Sequence, residues 1–588
     1  MLIRTIFSRP YLRYVLLQKR ILVDDNILIR HFCSRMDRAV VRCVPSEPKL
    51  TISFSLAGSS RHMLREQTEE LGKVLARISN SIIKAQSKGK KSKKSKSASE
   101  SASASRDAAD PVVRLYFNGD VVAEDALNRD AWQDGAVLQV GDAKYKVERN
   151  PPTFTTAQLP ASVLAGFPVC PKLEMEFGDL RFCVFKWYKE SSPNARTRGE
   201  EDSWVEAGSD RVFTPSNTDV GLRLKLKCMP GSESRLGLPV ELVTSSSVEA
   251  GPGVCTFDNR HLYTRKVTNE STTRVVTYNI LADIYSQTEL SKTVLYPYCA
   301  PYALKLDYRQ NLIKKELSGY NADIVCLQEV DKGVFSDSLA PALDAFGMDG
   351  VFKVKEKQHE GLATFYRRSK FRLLSRHDIM LSEALEMDAL HSVLLEKLST
   401  NPVLKEKVVQ RSTTLQVTVL QSISDPSKIV CVGNTHLYWH PKGGNIRLIQ
   451  MAVALKHLKK VIAEEHGGAL IFCGDFNSTP SSGLFQLLSQ GSLAEQHSDW
   501  ASNGPEELLQ MELHSPFQLI SACGVPDYTN YVGGFNGCLD YIFMEPQALQ
   551  VEQVIPLPSH QELTTYHALP SVSHPSDHIA LVCDLKWK

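Results

Sequence analysis

Charge of one sign, paired cysteine motifs and long apolar runs are all in short supply here. Lysines and arginines number 68 against 66 aspartates and glutamates, a formal balance of +2 over 588 residues. Global charge therefore argues neither for nor against a nucleic-acid partner, and any basic surface must be local. The 13 cysteines include no Cys-x-x-Cys pair, which removes the usual spacing of a structural zinc site or disulfide framework. Several lie inside apolar runs, as in Val430-Cys431-Val432 and Phe472-Cys473-Gly474, and read as reduced core residues in a compartment where thiols stay unpaired. No Walker loop, nucleophilic Ser or Cys motif or internal repeat stands out.

Residues 1–23 contain Arg4, Arg9, Arg13, Lys19 and Arg20, and the first acid is Asp24. Apolar residues are interleaved with these charges, so no run reaches the roughly 20 residues a membrane span needs. Basic, amphipathic and acid-poor is the pattern of a mitochondrial transit segment. The stretch Arg30-His31-Phe32-Cys33-Ser34 resembles a matrix-processing site, which sets residues 1–33 as the transit peptide and the matrix as the destination.

Beyond it, residues 34–86 are poorly defined by pattern. Residues 87–110 are rich in Lys, Ser and Ala with almost nothing apolar, and are expected to be a disordered linker. Residues 111–250 alternate apolar and polar positions, as in Leu222-Arg223-Leu224-Lys225-Leu226-Lys227-Cys228, and predict an all-β accessory domain. Trp187, then Asp219-Val220-Gly221 before a late Cys228, fit the order of an immunoglobulin-like sandwich. From 251 to 588 short apolar runs alternate with helical stretches, which predicts a layered α/β sandwich. One helix is expected through Leu448, Met451, Leu455, Leu458 and Ile462, with Asn445 as its amino-cap.

Six apolar runs in this last region carry a polar residue at one end. Val275-Val276-Thr277-Tyr278 leads to Asn279, and Ile324-Val325-Cys326-Leu327-Gln328 to Glu329. Ile429-Val430-Cys431-Val432 leads to Asn434-Thr435-His436, and Leu470-Ile471-Phe472-Cys473-Gly474 to Asp475-Phe476-Asn477. The order reverses in the last two, where Asp540 precedes Tyr541-Ile542-Phe543 and Asp577-His578 precede Ile579-Ala580-Leu581-Val582. Carboxylates are costly inside a core but cheap at strand ends on a rim. If four strands arrive at one rim and two leave it, all six polar ends meet. Carboxylate and amide oxygens without thiolate suit Mg2+ or Mn2+.

In this order the motifs Thr277-Tyr278-Asn279, Leu327-Gln328-Glu329, Asn434-Thr435-His436, Gly474-Asp475-Phe476-Asn477, Leu539-Asp540-Tyr541 and Ser576-Asp577-His578 closely resemble the exonuclease–endonuclease–phosphatase superfamily. The resemblance covers residues 274–588. It implies a four-layered α/β sandwich, two packed mixed sheets flanked by helices. It also implies Mg2+-dependent phosphodiester hydrolysis. Glu329 would be the principal metal ligand, supported by Asn279, with Asp475 and Asn477 holding or activating the attacking water and Asp577 completing the shell. His578, oriented by Asp540, and His436 would serve the phosphoryl oxygens.

The segments Tyr296-Pro297-Tyr298-Cys299-Ala300-Pro301-Tyr302, His436-Leu437-Tyr438-Trp439-His440-Pro441 and Tyr528-Thr529-Asn530-Tyr531 look like the deadenylase branch. That implies a 3′-to-5′ exoribonuclease releasing AMP from 2′,5′-linked oligoadenylate and from poly(A) tails of mitochondrial RNA. Pro441 and Phe535 match the pair that sandwiches adenine in this branch, and Lys442 and Arg447 are placed to meet phosphate. Two alternatives stay open: another phosphoesterase of the superfamily, and a non-catalytic RNA-binding protein with a decayed site.

Overall fold

A computed structural model describes residues 37–56, 59–93, 112–192, 203–355, 358–465 and 467–588. The transit segment expected at 1–33 lies outside the described residues, as do positions 94–110 of the expected linker. The chain forms two compact units.

The first unit corrects the boundaries expected from sequence. The described part of residues 34–86 is regularly structured. Asp37–Cys43, Lys49–Leu56 and Ser59–Glu66 are three strands, followed by the helix Leu71–Lys93, which takes in residues 87–93. These strands share one seven-stranded sheet with Ala143–Arg149, Val137–Val140, Val113–Phe117 and Asp120–Val121. The join is a parallel pairing of Asp37–Cys43 with Ala143–Arg149. Leu71, Val74, Leu75 and Ile78 of the helix pack with Trp132, Leu138 and Tyr145 in this unit's core. Burial of these faces makes one sheet out of segments separated by the Lys/Ser-rich stretch.

Strands Val184–Glu190, Trp204–Gly208, Leu224–Met229 and Val240–Val243 form a separate four-stranded sheet. The region is β-rich as expected, but an immunoglobulin-like sandwich is not what it builds. The strands from 113 to 149, needed for a second layer, belong to the other sheet. Trp187 is fully buried and donates its indole N–H to the Asp210 carbonyl at 2.9 Å.

The catalytic region is the four-layered sandwich. One six-stranded sheet contains Thr272–Asn279, Ile324–Asp331, Glu360–Arg367 and Leu581–Trp587; the other contains Ile429–His436, Ala469–Asp475 and Asp540–Met544. Alternation within single strands explains the layers. Ile324 and Cys326 pack with Val430, Val432, Ile471 and Ile542 of the other sheet. Val325 and Leu327 face the opposite way, onto Ile313 and Leu317 of the helix Leu306–Gly319. Both faces are covered, so the strands are continuously apolar. The helix Gly444–Glu464 covers the second sheet through Leu448, Met451, Leu455 and Leu458. Its amino-cap is Gly443 rather than Asn445, which sits inside the first turn and donates its amide to the Glu507 carbonyl. No disulfide is found among the described residues. No helix among the described residues is long and apolar enough to cross a membrane.

Arg274 clamps the first sheet. Its Nε and Nη2 donate to the two oxygens of Asp584 at 2.7 and 2.9 Å, and Nη1 donates to the carbonyls of Lys266 and Tyr320. Breaking a buried pair strands the remaining charge. Arg274→Met is expected to cost about 3–5 kcal/mol, measured by denaturant unfolding. The double variant Arg274→Met with Asp584→Leu should recover much of that loss.

Candidate active site

The strand ends meet as the rim geometry requires. Thr272–Asn279 and Ile324–Asp331 run parallel, with Asn279 opposite Gln328. In the other sheet Ile429–His436 and Ala469–Asp475 run parallel, with His436 opposite Asp475. Asp475 in turn lies opposite Asp540 on an antiparallel neighbour. Asp577 and His578 precede Leu581–Trp587, which pairs antiparallel with Thr272–Asn279. Beneath the rim, Gln328 donates to Asn434 Oδ1 at 2.9 Å, and Asn434 donates to the Leu327 and Ala363 carbonyls. This layer of amides ties sheet to sheet.

Two of these residues sit in strained backbone. Glu329 has φ +56° and Asn477 φ +49°, and the pairing register slips between Leu327 and Val330 at the Glu329 bulge. Left-handed conformations at such residues cost of order 1–3 kcal/mol and gather at functional sites. Here the bulge re-aims the Glu329 carboxylate.

The amide of Asn279 bridges the sheets. Its Nδ2 donates to Glu329 Oε1 and to Asp475 Oδ2, each at 3.0 Å, while its oxygen accepts the Leu281 N–H. Asn279 therefore couples the two acids instead of offering them a further oxygen. Glu329 Oε2 accepts the Ala282 N–H at 2.9 Å, and Asp475 Oδ1 accepts the Asn477 N–H at 2.9 Å. The Asn477 side chain donates to the Leu437 carbonyl. Burial, then the fields of Asp577 and Glu360, push the Glu329 carboxyl up to about 7. Burial and Asp540 push Asp475 up to about 6.

The two histidines are in opposite states. His578 Nδ1 donates to Asp540 Oδ2 at 2.8 Å, and its Nε2 lies 3.6 Å from Asp475 Oδ2. Burial opposes charge on this ring, but Asp540, Asp475 and Asp577 outweigh it and hold its pKa well above the usual value. His436 Nε2 lies 3.5 Å from the same Asp475 oxygen. Burial, Lys355 and His578 keep His436 neutral. Lys355 Nζ donates to His436 Nδ1 at 3.3 Å, so the ring's one proton is on Nε2, on the Asp475 side.

Other expected residues divide. Asp577 accepts from the Tyr296 hydroxyl at 3.0 Å and the Asn530 amide at 3.3 Å. Pro441, Lys442 and Phe535 are exposed. Arg447, expected to meet phosphate, is instead buried and donates to the Tyr438 and His440 carbonyls at 3.0 and 2.7 Å. It braces the loop that carries Pro441. Sequence reasoning missed Lys355, whose ammonium meets Glu360 at 2.6 Å, and Thr529, whose hydroxyl donates to Asp540 at 2.6 Å. The acid beginning an apolar strand at Glu360 was a signal of the kind used for Asp540.

A family model described as "Endonuclease/Exonuclease/phosphatase family" matches residues 276–578, and one described as "2',5'-phosphodiesterase 12-like, N-terminal domain" matches 151–249. Mouse 2′,5′-phosphodiesterase 12 is 62% identical over 577 residues, 94% of this chain and 95% of that one. The chain belongs to this phosphodiesterase family, within the endonuclease/exonuclease/phosphatase superfamily. The human 2′,5′-phosphodiesterase 12 is also 62% identical, with 94% of each chain covered. The crystal structure of ANGEL2, a 2′,3′-cyclic phosphatase, in complex with adenosine-2′,3′-vanadate, is 25% identical with TM-score 0.45. It covers 54% of this chain and 96% of that one. The protein is a metal-dependent phosphoesterase.

The residues present fit a divalent cation. Asp475 and Asp540 bring carboxylate oxygens within 4.8 Å of each other, with a ring nitrogen of His578 equally near. Asp540 Oδ1 and Glu360 Oε2 are buried without a partner. Against Glu329, Glu360, Asp475, Asp540 and Asp577 stand the ammonium of Lys355 and the charged ring of His578. The excess negative charge helps to raise Glu329 and Asp475, and a bound cation would relieve it.

A carboxyl raised in the fold stabilises fully below its unfolded value and loses that contribution as pH rises through the folded one. Relative to Glu329→Gln, the metal-free protein should lose thermal stability as pH rises from about 5 to 8, through the folded value near 7. Saturating Mg2+ should cancel the loss. A flat difference between the two proteins across that range would contradict this origin of the shift.

Proposed function

We propose that the chain is a Mg2+-dependent 3′-to-5′ exoribonuclease that releases AMP from 2′,5′-linked oligoadenylate and from 3′ poly(A) tails in the mitochondrial matrix. The observation that carries the chemistry is the surrounding of Asp475 Oδ2. Asn279 lies at 3.0 Å, His436 at 3.5 Å and His578 at 3.6 Å from it. One carboxylate oxygen is thus ringed by donors able to hold a phosphoryl group against it. The adenylate substrate rests on the kinship with 2′,5′-phosphodiesterase 12.

Each residue then has a role. Glu329 is the principal metal ligand, with Asp475 and Asp577 beside it and Asn279 and Asn477 holding the acids in place. Mg2+ would supply charge stabilisation at the phosphoryl oxygens. Asp475, raised to about 6, is poised near neutrality to take a proton from the attacking water. His578, charged and fixed by Asp540, donates from Nε2 to a non-bridging oxygen as charge grows there. His436 donates from its neutral Nε2–H on the other side. Pro441 and Phe535 stack the terminal adenine, a contact worth about 1–3 kcal/mol per base, and the exposed Lys442 meets phosphate. Residues 1–33 direct import.

With Mg2+, purified protein should release AMP from both 2′,5′- and 3′,5′-linked triadenylate, followed by chromatography of the products. Failure with both linkages would sink the adenylate reading. Glu329→Ala should lower kcat by at least about 10³-fold with its melting temperature preserved; unchanged turnover would refute the metal assignment. Deleting residues 1–33 should abolish uptake by isolated mitochondria.

A further inference from the structure

A cavity of about 570 Å3 opens beside the Glu329 end of the rim. Part of its wall is Asp283 and Asp331. Asp283 follows Ala282, whose N–H holds Glu329, and donates its own N–H to Asp331 at 2.8 Å. Further parts of the wall come from the β-rich region, including Ser162, Cys170 and Lys172, and from the helix Leu306–Gly319. Asn311 of that helix donates to Ser162 at 3.3 Å, which fixes the helix to the β-rich region. Leu306, Gln310 and Lys314, four residues apart on one helical face, all line the space.

Lys314 is the anomaly. It is 4% exposed, yet its ammonium makes no hydrogen bond or ion pair among the described residues. Burial lowers its pKa, opposed only by the fields of Cys170 and Asp307. Three other charges of the lining have partners of their own. Lys172 meets Asp337 at 2.8 Å, Asp283 lies 3.7 Å from Arg309, and Asp331 accepts the Asp283 N–H. Lys314 and Asp307 both line the cavity, and a cation so enclosed without a bonded partner costs more than an apolar side chain would. Such a residue is explained by an anion that arrives with a ligand.

The volume suits one nucleotide, within the roughly 300–1,000 Å3 usual for ligand sites. We propose that the cavity receives the nucleotide on the 5′ side of the scissile bond, with that nucleotide's 5′ phosphate on Lys314. This rests on the oligoadenylate reading and extends it. It also gives the β-rich region a function, because its residues supply the wall that makes the enzyme sense the second nucleotide.

The test is the ratio of kcat/KM for cleavage of 5′-phosphorylated against 5′-hydroxyl 2′,5′-diadenylate with Mg2+, followed as loss of the dimer because the first yields two AMP per cleavage and the second one. The wild-type protein should favour the phosphorylated dimer by about tenfold, and Lys314→Met should bring the ratio to about one. Lys314→Met should also melt at a higher temperature without substrate, since it removes a charge that burial disfavours. Lys314→Gln serves the same comparison if the methionine variant does not fold. A ratio near one in the wild type, or a tenfold ratio kept in both variants, overturns the assignment while leaving the oligoadenylate reading intact. Absence of AMP from both dimers overturns the two together.

Discussion

One side-chain amide holds the catalytic rim in register. Asn279 spends both hydrogens of its Nδ2 on carboxylates from different sheets, Glu329 and Asp475, at 3.0 Å each. Two acids that share one donor nitrogen repel strongly where water is scarce. The amide gives them a shared donor without adding charge, so they stay close yet still want a cation. Remove the bridge and each sheet keeps its own acid, with no shared donor between the two. The Gln328–Asn434 pair performs the same service one layer deeper, which is why the two sheets cannot slide at the rim.

Around that bridge the site divides its charge unevenly. Asp540 hardens His578 as an imidazolium, and Lys355 keeps His436 neutral with Glu360 balancing the ammonium. Two rings of equal intrinsic basicity thus flank the same Asp475 oxygen as different donors. The difference comes from the residue on the far side of each ring. A phosphoryl group seated there meets one full cation and one dipole, which matches a reaction whose charge grows unequally on its oxygens.

The rim was legible because each catalytic residue ends or begins an apolar run, a pattern that burial on both faces imposes. The order of the runs carried the strand directions too. What hid was either distant or ambiguous. Leu50, Ile52 and Phe54 alternate plainly in Lys49–Leu56, but the strand that completes their sheet, Ala143–Arg149, follows the Lys/Ser-rich stretch. Local pattern contains nothing about that pairing. Arg447 looked like a phosphate ligand because charge near a site invites that expectation, and only its distance to carbonyls reveals a brace. Lys355 was unreadable for the opposite reason: its importance lies in a ring 81 residues away.

The two sheets solve one problem twice. In each, a parallel pair arrives at the rim and an antiparallel neighbour departs from it. Asn279 and Glu329 arrive beside the departing Asp577-His578 strand; His436 and Asp475 arrive beside the departing Asp540 strand. A single sheet with this pattern offers its polar ends in a row, too spread to enclose a phosphate. Packing two such sheets face to face folds the row into a ring, with Val430, Ile471 and Ile324 between them as the apolar spacer. The spacer sets how far apart the rows stand, and the bulge at Glu329 closes the remaining gap. The strain at Glu329 and Asn477 therefore measures how far an ideal strand end falls short of the site, and the apolar layers beneath are what sustain it.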